Sequence, residues 1–307
     1  GVADELRRNG IPVFGPGAEA ARIEGSKTFA KDVLSAAGVP TAERLSVART
    51  PCVVKADGLA SGKGVFVCRE REELDAALTL VAAFGDTILI EELLEGPEVS
   101  VFAISDGRTV VPLGAAQDFK RIGEGDTGPN TGGMGAYSPV PFVEDPAALV
   151  ELVHEPVVAE LARRGTPFVG CLFAGLMLTE DGPRVLEFNA RFGDPETQVL
   201  MPRLEGDLLQ VLFAAALGDL SGTHVTTSGD AAVTVVLAGP EYPARSDYAG
   251  ATIEGIAAAE SAGALVFHGG TAVRDGTLVT NGGRILSVTA TGESVEDART
   301  RAYEAVD

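Results

Sequence analysis

Tryptophan is absent from this chain, and cysteine, methionine and histidine occur only three times each. Cys52, Cys68 and Cys171 are too few and too scattered to form a disulfide framework. In apolar runs they read as buried free thiols in a reducing compartment. His154, His224 and His268 are equally dispersed, with no His-Glu-x-x-His pattern and no Cys/His cluster, which argues against a zinc site. Positive charge is also scarce: 24 Lys and Arg stand against 44 Asp and Glu, for a net charge of -20. With no Lys/Arg-dense run, the composition argues against a nucleic-acid partner, while small anions at local basic sites remain open. No run of about 18 apolar residues exists, and no basic segment followed by an apolar one opens the chain. A cytoplasmic protein without a membrane partner is expected.

What is present is a chain of 307 residues with 45% hydrophobic content, enough for a large core and about two domains. Val2 to Asn9 reads as the second half of a helix, and with Gly1 in place of Met the natural start is expected upstream. Ile11 to Gly15 reads as a short buried strand and Ala18 to Ile23 as helical. Ser26 is placed to cap the next helix, with Lys27 in its first turn and Phe29, Val33 and Leu34 on its buried face. A lysine at a helix N-terminus opposes the dipole preference unless an anion lies between them.

Pro51 to Lys55 and Gly64 to Cys68 read as strands joined by a glycine-rich connection containing Gly58, Gly62 and Lys63. Its spacing is one residue short of a P-loop and leads into a strand. A mobile lid whose backbone N–H groups and Lys63 close over phosphates suits it better, with Lys55 pointing inward. Arg69 to Ala82 follows as a helix and Thr87 to Glu91 as a strand. Glu91, Leu94 and Glu98 lie where a strand exit could meet a nucleotide base and ribose, although solvated acids are the more ordinary reading of that segment. Val99 to Ile104 and Thr109 to Ala115 form a hairpin. The stretch from Gln117 to Pro139 holds Asp118, Lys120, Arg121, Asn130 and Gly133 among many glycines. It reads as a long structureless loop that contacts substrate.

Pro146 to Arg164 reads as one long helix or a pair, and Phe168 to Leu178 with Arg184 to Asn189 as a hairpin. The second of these strands continues into Arg191-Phe-Gly-Asp194-Pro-Glu-Thr197-Gln. Period-two alternation puts Glu187, Asn189 and Arg191 on one side and Leu186, Phe188 and Ala190 in a core. Two hard oxygen donors beside a cation suit Mg²⁺ and the phosphates it bridges, although a solvated edge face with a turn at Gly193-Asp194-Pro195 is an equally ordinary reading of that motif alone. Leu208 to Leu217 reads as a buried helix closed by Gly218. From Ala231 the pattern changes to short strands and glycine turns, ending in a helix from Val295 to Ala305.

The stretches Glu24-Gly-Ser-Lys27, Val54 to Gly64, Asp126 to Pro139, Glu187 to Gln198, Phe267 to Thr271 and Thr280 to Arg284 resemble the phosphoribosylamine-glycine ligase (glycinamide ribonucleotide synthetase) family of the ATP-grasp superfamily. The resemblance implies an α/β (α+β) fold. Residues 1-25 would end a truncated N-terminal domain, and residues 26-222 would form an ATP-grasp domain with a mobile lid at about 41-98. Residues 223-307 would form a small mixed α/β C-terminal domain. It implies ATP-dependent ligation of glycine to 5-phosphoribosylamine through a glycyl phosphate, with Mg²⁺ or Mn²⁺, by a monomer acting on small molecules.

On the same resemblance, Lys27, Lys55, Gly62, Lys63, Glu91, Leu94 and Glu98 would bind ATP, and Glu187 and Asn189 the metal. Arg191 and Lys55 would be catalytic. Asp118, Lys120, Arg121, Asn130, Gly133, Asp194 and Thr197 would bind glycine and phosphoribosylamine. Another ATP-grasp carboxylate ligase, such as a biotin-carboxylase-like enzyme, is the alternative, and the Asp126 to Pro139 loop weighs against it. An inactive nucleotide-binding scaffold is a third reading, against which stand Lys55, Glu187, Asn189 and Arg191.

Overall fold

The computed structural model describes residues 1-58, 64-85, 87-125 and 127-307. Over these the chain forms two compact units that interleave along the sequence. The first comprises Gly1–Gly114, Asp145–Phe192 and Gly206–Val225, and the second Ala115–Glu144, Gly193–Glu205 and Thr226–Asp307.

In the first unit Cys52–Ala56 is the middle strand of a three-stranded antiparallel sheet, between Val65–Cys68 and Ile88–Glu92. Its Cys52, Val54 and Ala56 pack with Leu74, Ala77 and Val81 of the Arg71–Val81 helix in one buried cluster. The Glu73 carboxylate closes that helix at its N-terminus by accepting the Arg69 and Glu70 N–H groups, a capping-box arrangement. Three antiparallel strands of a second sheet run in the order Gly182–Asn189, Val169–Thr179, Glu98–Asp106. Pro146–Arg163 packs on it as a single helix, with Val150, Val153, Val157 and Leu161 buried at helical spacing. All three cysteines are free and buried, as their apolar settings imply.

Four expectations need correction. Ile11 to Gly15 forms no strand and is not buried. Without a neighbouring strand, its carbonyls at Val13 and Gly15 are satisfied instead by the Arg7 guanidinium. Leu208–Leu217 is a helix ended by Gly218 in the left-handed region, but only Val211 and Ala215 are buried. Leu209, Phe213 and Leu217 stand exposed on it. The Gln117 to Pro139 stretch is not structureless: Arg121–Gly123 pairs with Thr127–Asn130, and Gly135–Ser138 joins a sheet. The strict alternation of the Val185 to Arg191 strand is broken, because Val185 pairs with Leu176 and Glu187 with Gly175. Leu186 is the extra residue of a bulge, so Val185 and Phe188 take the buried positions and Leu186 is half-buried.

The second unit is built on the antiparallel strands Gly135–Ser138, Ala231–Ala238, Arg284–Gly292 and Leu265–His268, in that order. The Val295–Val306 helix lays Ala298 and Ala302 onto Ala231, Val233 and Ala290. Small residues at spacing four let this helix lie close to the sheet. A three-stranded sheet of Ala249–Thr252, Thr277–Asn281 and Thr271–Arg274 completes it. Two of those strands, with the short Ile256–Ser261 helix, had no expectation from the sequence.

Candidate active site

In the first unit, charge gathers around one buried carboxylate. Glu91 is 2% exposed, and its two oxygens accept from Lys55 Nζ at 2.7 Å and Lys31 Nζ at 2.9 Å. Lys55 Nζ also donates to the Leu186 carbonyl at 3.2 Å, one residue before Glu187. Lys31 Nζ donates further to Thr41 Oγ1 at 2.9 Å and to the Ala42 carbonyl. Burial pulls the Lys31 ammonium below its ordinary pKa, opposed by Glu91. Buried ions need such pairing, since an unpaired charge there would cost several kcal/mol.

Lys27 begins the Lys27–Ala37 helix, whose cap is Ser26 as expected, with Oγ accepting from Phe29 N. The dipole conflict at this N-terminus is resolved within the protein: Asp57 Oδ1 accepts the Lys27 N–H at 2.6 Å and the Thr28 N–H at 3.4 Å. An aspartate therefore occupies the place where the sequence allowed a phosphate. Burial raises the Asp57 pKa, but hydrogen bonds from Thr28, Lys27 and Ser26 together hold it below its ordinary value. Lys27 Nζ donates to the Gly58 carbonyl at 3.0 Å. Burial lowers its pKa, against the opposing charge of Glu187.

Past the bulge, Glu187 is exposed and Asn189 half-buried. Asn189 Oδ1 accepts from Arg191 Nη2 at 3.3 Å, and Arg191 Nη1 donates to the Phe192 carbonyl at 2.8 Å. Arg191 lies beyond the end of the strand. Its Nε is 3.8 Å from Glu24 Oε1, and the other Glu24 oxygen accepts the Ala190 N–H at 2.9 Å. Glu187 and Asn189 are thus hard oxygen donors two residues apart, and the residue paired with Glu187 is Gly175, which adds no third ligand. Among the described residues no group of three His, Cys, Asp or Glu could hold a metal. Two protein oxygens fit Mg²⁺, which keeps waters and takes its remaining ligands from phosphates.

Of the other nucleotide candidates, Leu94 and Glu98 are half-buried at the exit of the Ile88–Glu92 strand and the start of the next. Glu91's carboxylate is committed to the two lysines, so only its backbone remains for a ligand. Gly62 and Lys63 lie outside the described residues.

In the second unit, Asp118 Oδ1 is 3.4 Å from Lys120 Nζ. Arg121 and Asn130 are register partners in their two-stranded ribbon, both exposed, and Arg121 Nη1 donates to the Gly128 carbonyl at 2.7 Å. Gly133 has φ +107°, and a Cβ on it would lie 2.4 Å from Pro195 Cδ. This position needs glycine for both reasons. Thr197 Oγ1 donates to the Gly193 carbonyl at 2.5 Å, and Gln198 Nε2 to Asp194 Oδ1 at 2.8 Å. A cavity of about 390 Å³ opens beside them, lined in part by Asp194, Gln198, Tyr242, His268 and Arg284.

Three residues were missed. Lys31 follows Lys27 by four on one helix face, a spacing visible in the sequence. Arg284, which bonds Asp194 at 2.9 Å, stood only as the end of a motif. Tyr242, whose Oη accepts the Gly132 N–H at 2.8 Å, carried no local signal.

The fold is that of the ATP-grasp ligases. The fold class is shared with the biotin carboxylase domain of Hydrogenobacter thermophilus 2-oxoglutarate carboxylase, solved with MgADP, at a TM-score of 0.71 and 19% identity over 99% of this chain and 70% of that one. A more specific match comes from two family models, the phosphoribosylglycinamide synthetase ATP-grasp (A) domain over residues 25-197 and the C domain over residues 232-307. Phosphoribosylamine–glycine ligase of Streptomyces coelicolor is 51% identical, covering 100% of this chain and 77% of the relative. The solved phosphoribosylamine–glycine ligase of Thermotoga maritima superposes at a TM-score of 0.83 with 35% identity, over 96% of this chain and 78% of that one. The chain belongs to the phosphoribosylglycinamide synthetase family.

Proposed function

We propose that this chain is an ADP-forming carbon–nitrogen ligase that joins glycine to 5-phosphoribosylamine, giving glycinamide ribonucleotide, ADP and phosphate in purine biosynthesis. A glycine carboxylate oxygen attacks the γ-phosphorus of ATP and ADP leaves. The amine of phosphoribosylamine then attacks the acyl carbon of glycyl phosphate, and phosphate departs carrying that glycine oxygen. The observation that carries the reading is the Lys31–Glu91–Lys55 cluster, tied through Leu186 to the strand bearing Glu187 and Asn189.

In this reading Lys27, Lys55 and Lys63 neutralise phosphate charge, with Lys55 aimed by Glu91. Backbone at Glu91 to Leu94 meets the adenine edge and Glu98 the ribose. Gly62 binds ATP with them. Glu187 and Asn189 would hold Mg²⁺ or Mn²⁺, which when bound offsets phosphate charge during displacement. Arg191 stabilises the transferring phosphoryl group. Asp118, Lys120, Arg121, Asn130, Gly133, Asp194 and Thr197 hold glycine and phosphoribosylamine. A neutral amine attacking an activated acyl group needs no strong base, so positioning and exclusion of water set the rate.

The segments proposed as domains are 1-25, 26-222 with a lid at about 41-98, and 223-307. The spans of the two family models, 25-197 and 232-307, support only the break between the last two of these segments. The enzyme would act as a cytoplasmic monomer on small molecules. Its net charge of -20 argues against a nucleic-acid partner, and no described helix is long and apolar enough to cross a membrane.

Glycine labelled with ¹⁸O in its carboxylate tests the chemistry. One labelled oxygen should appear in each phosphate released. Unlabelled phosphate accompanying labelled product would overturn the glycyl phosphate route.

A further inference from the structure

Arg284 makes four hydrogen bonds to two segments far apart in sequence. Its Nη1 donates to the carbonyls of Gly132 at 2.8 Å, Gly133 at 3.3 Å and Asp194 at 3.1 Å, and its Nη2 to Asp194 Oδ2 at 2.9 Å. Only a planar fork of donors can reach that set at once. Both segments are shaped to receive it. A Cβ on Gly132 would lie 3.0 Å from Arg284 Cζ, and one on Gly133 would strike Pro195. On the opposite side, Gln198 Nε2 holds the second Asp194 oxygen. Arg284, Asp194 and Gln198 all line the 390 Å³ cavity.

We infer that Arg284 is a positioning residue for the ligase reaction, locking the Gly132-Gly133 turn to the Asp194-Pro195 turn so that the two form one rigid wall of the acceptor-substrate site. The inference rests on the proposed reading that these segments bind glycine and phosphoribosylamine. Its physical basis is that removing the guanidinium leaves three carbonyls and a carboxylate without their shared donor, so each turn moves independently. A lysine keeps the charge, but its single ammonium cannot span both turns.

Arg284→Lys and Arg284→Ala in the whole chain test this by two readouts. In hydrogen exchange, amides of residues 131-136, 193-194 and 196-198 should exchange about tenfold faster in both variants, while those of Cys52–Ala56 keep the wild-type rate. In kinetics, KM for phosphoribosylamine should rise by about tenfold or more with KM for ATP unchanged, and ethylguanidine should partly restore the alanine variant but not the lysine one. Wild-type exchange in both turns of Arg284→Lys would overturn the lock, as would wild-type KM in that variant with charge alone retained. Exchange needs no substrate, so a wild-type enzyme that fails to turn over glycine and phosphoribosylamine would refute the proposed function while the exchange result still judges the lock.

Discussion

Replacing Glu91 by glutamine keeps the side chain's size and removes the one negative charge that the buried Lys55 and the half-buried Lys31 share. Lys55 and Lys31 lie 2.7 and 2.9 Å from its oxygens, with side chains 9% and 16% exposed. At an effective dielectric of about 20, each such contact is worth about 4 kcal/mol or more before desolvation is subtracted. Desolvation offsets most of this sum. The measurable cost of breaking a buried pair is about 3–5 kcal/mol, because the partners are left buried and uncompensated.

The glutamine amide also turns an N–H₂ group toward one ammonium. The loss should depend on pH in a defined sense. The folded Lys31 pKa already lies below its ordinary value, through burial with Glu91 opposing. Without that opposition the depression deepens, so the folded variant sheds a proton at a pH where the unfolded chain still binds it. Stability of the variant then rises with pH, and its deficit against wild type shrinks. Denaturant unfolding of both proteins at pH 7 and pH 9.5, read on the transition of the first unit, should show a deficit of about 3–5 kcal/mol that is visibly smaller at the higher pH. A deficit below about 1 kcal/mol, the scale of an exposed pair, or one equal at both pH values, would refute the reasoning.

Other perturbations separate the remaining parts of the account. Glu187→Gln, which removes the charge that would hold Mg²⁺, should cut turnover by at least about a hundredfold with an unchanged melting curve; near-normal turnover at saturating Mg²⁺ would move the metal site elsewhere. Gly133→Ala puts a Cβ 2.4 Å from Pro195 Cδ at φ +107°, so it should raise KM for phosphoribosylamine and cost about 1–3 kcal/mol of stability, measurable by kinetics and by denaturant unfolding. His154 is fully buried with Nε2 on the Leu172 carbonyl, and burial lowers its pKa from 6.5 to about 4. Below pH 6.5 the unfolded chain binds the proton first, so stability falls as pH drops toward 4, by about 3 kcal/mol. His154→Gln should lose that component, and parallel pH–stability curves for the two proteins would contradict it.

Features carried by local period or local chemistry could be read from the sequence. The Ser26 cap, the Gly218 helix end, the Cys52–Ala56 strand and the Val169–Thr179 and Gly182–Asn189 hairpin all rest on residues near one another in the chain. The Leu186 bulge escaped because a period-two reading assumes that no residue is inserted, and only pairing with Gly175 and Leu176 reveals the insertion. Ile11 to Gly15 failed as a strand because its apolar residues have no neighbouring strand to complete a ladder. The aspartate at the Lys27 helix N-terminus comes from thirty residues downstream. Arg284 reaches Gly132 across 152 positions, so its glycine-rich setting was visible but its partners were not. Gly282 of that motif closes on Gly270, where an added Cβ would sit 2.9 Å from the Gly270 Cα. This glycine therefore serves close backbone packing.

ADP formation measured with ATP and Mg²⁺ tests the central claim most directly, with glycine and phosphoribosylamine supplied together and then singly. Rapid ADP release is expected only when both are present, with one ADP for each glycinamide ribonucleotide, and far slower release with glycine alone because glycyl phosphate is kept from water. Equally rapid ADP release without the amine, or with bicarbonate in place of glycine, would contradict it.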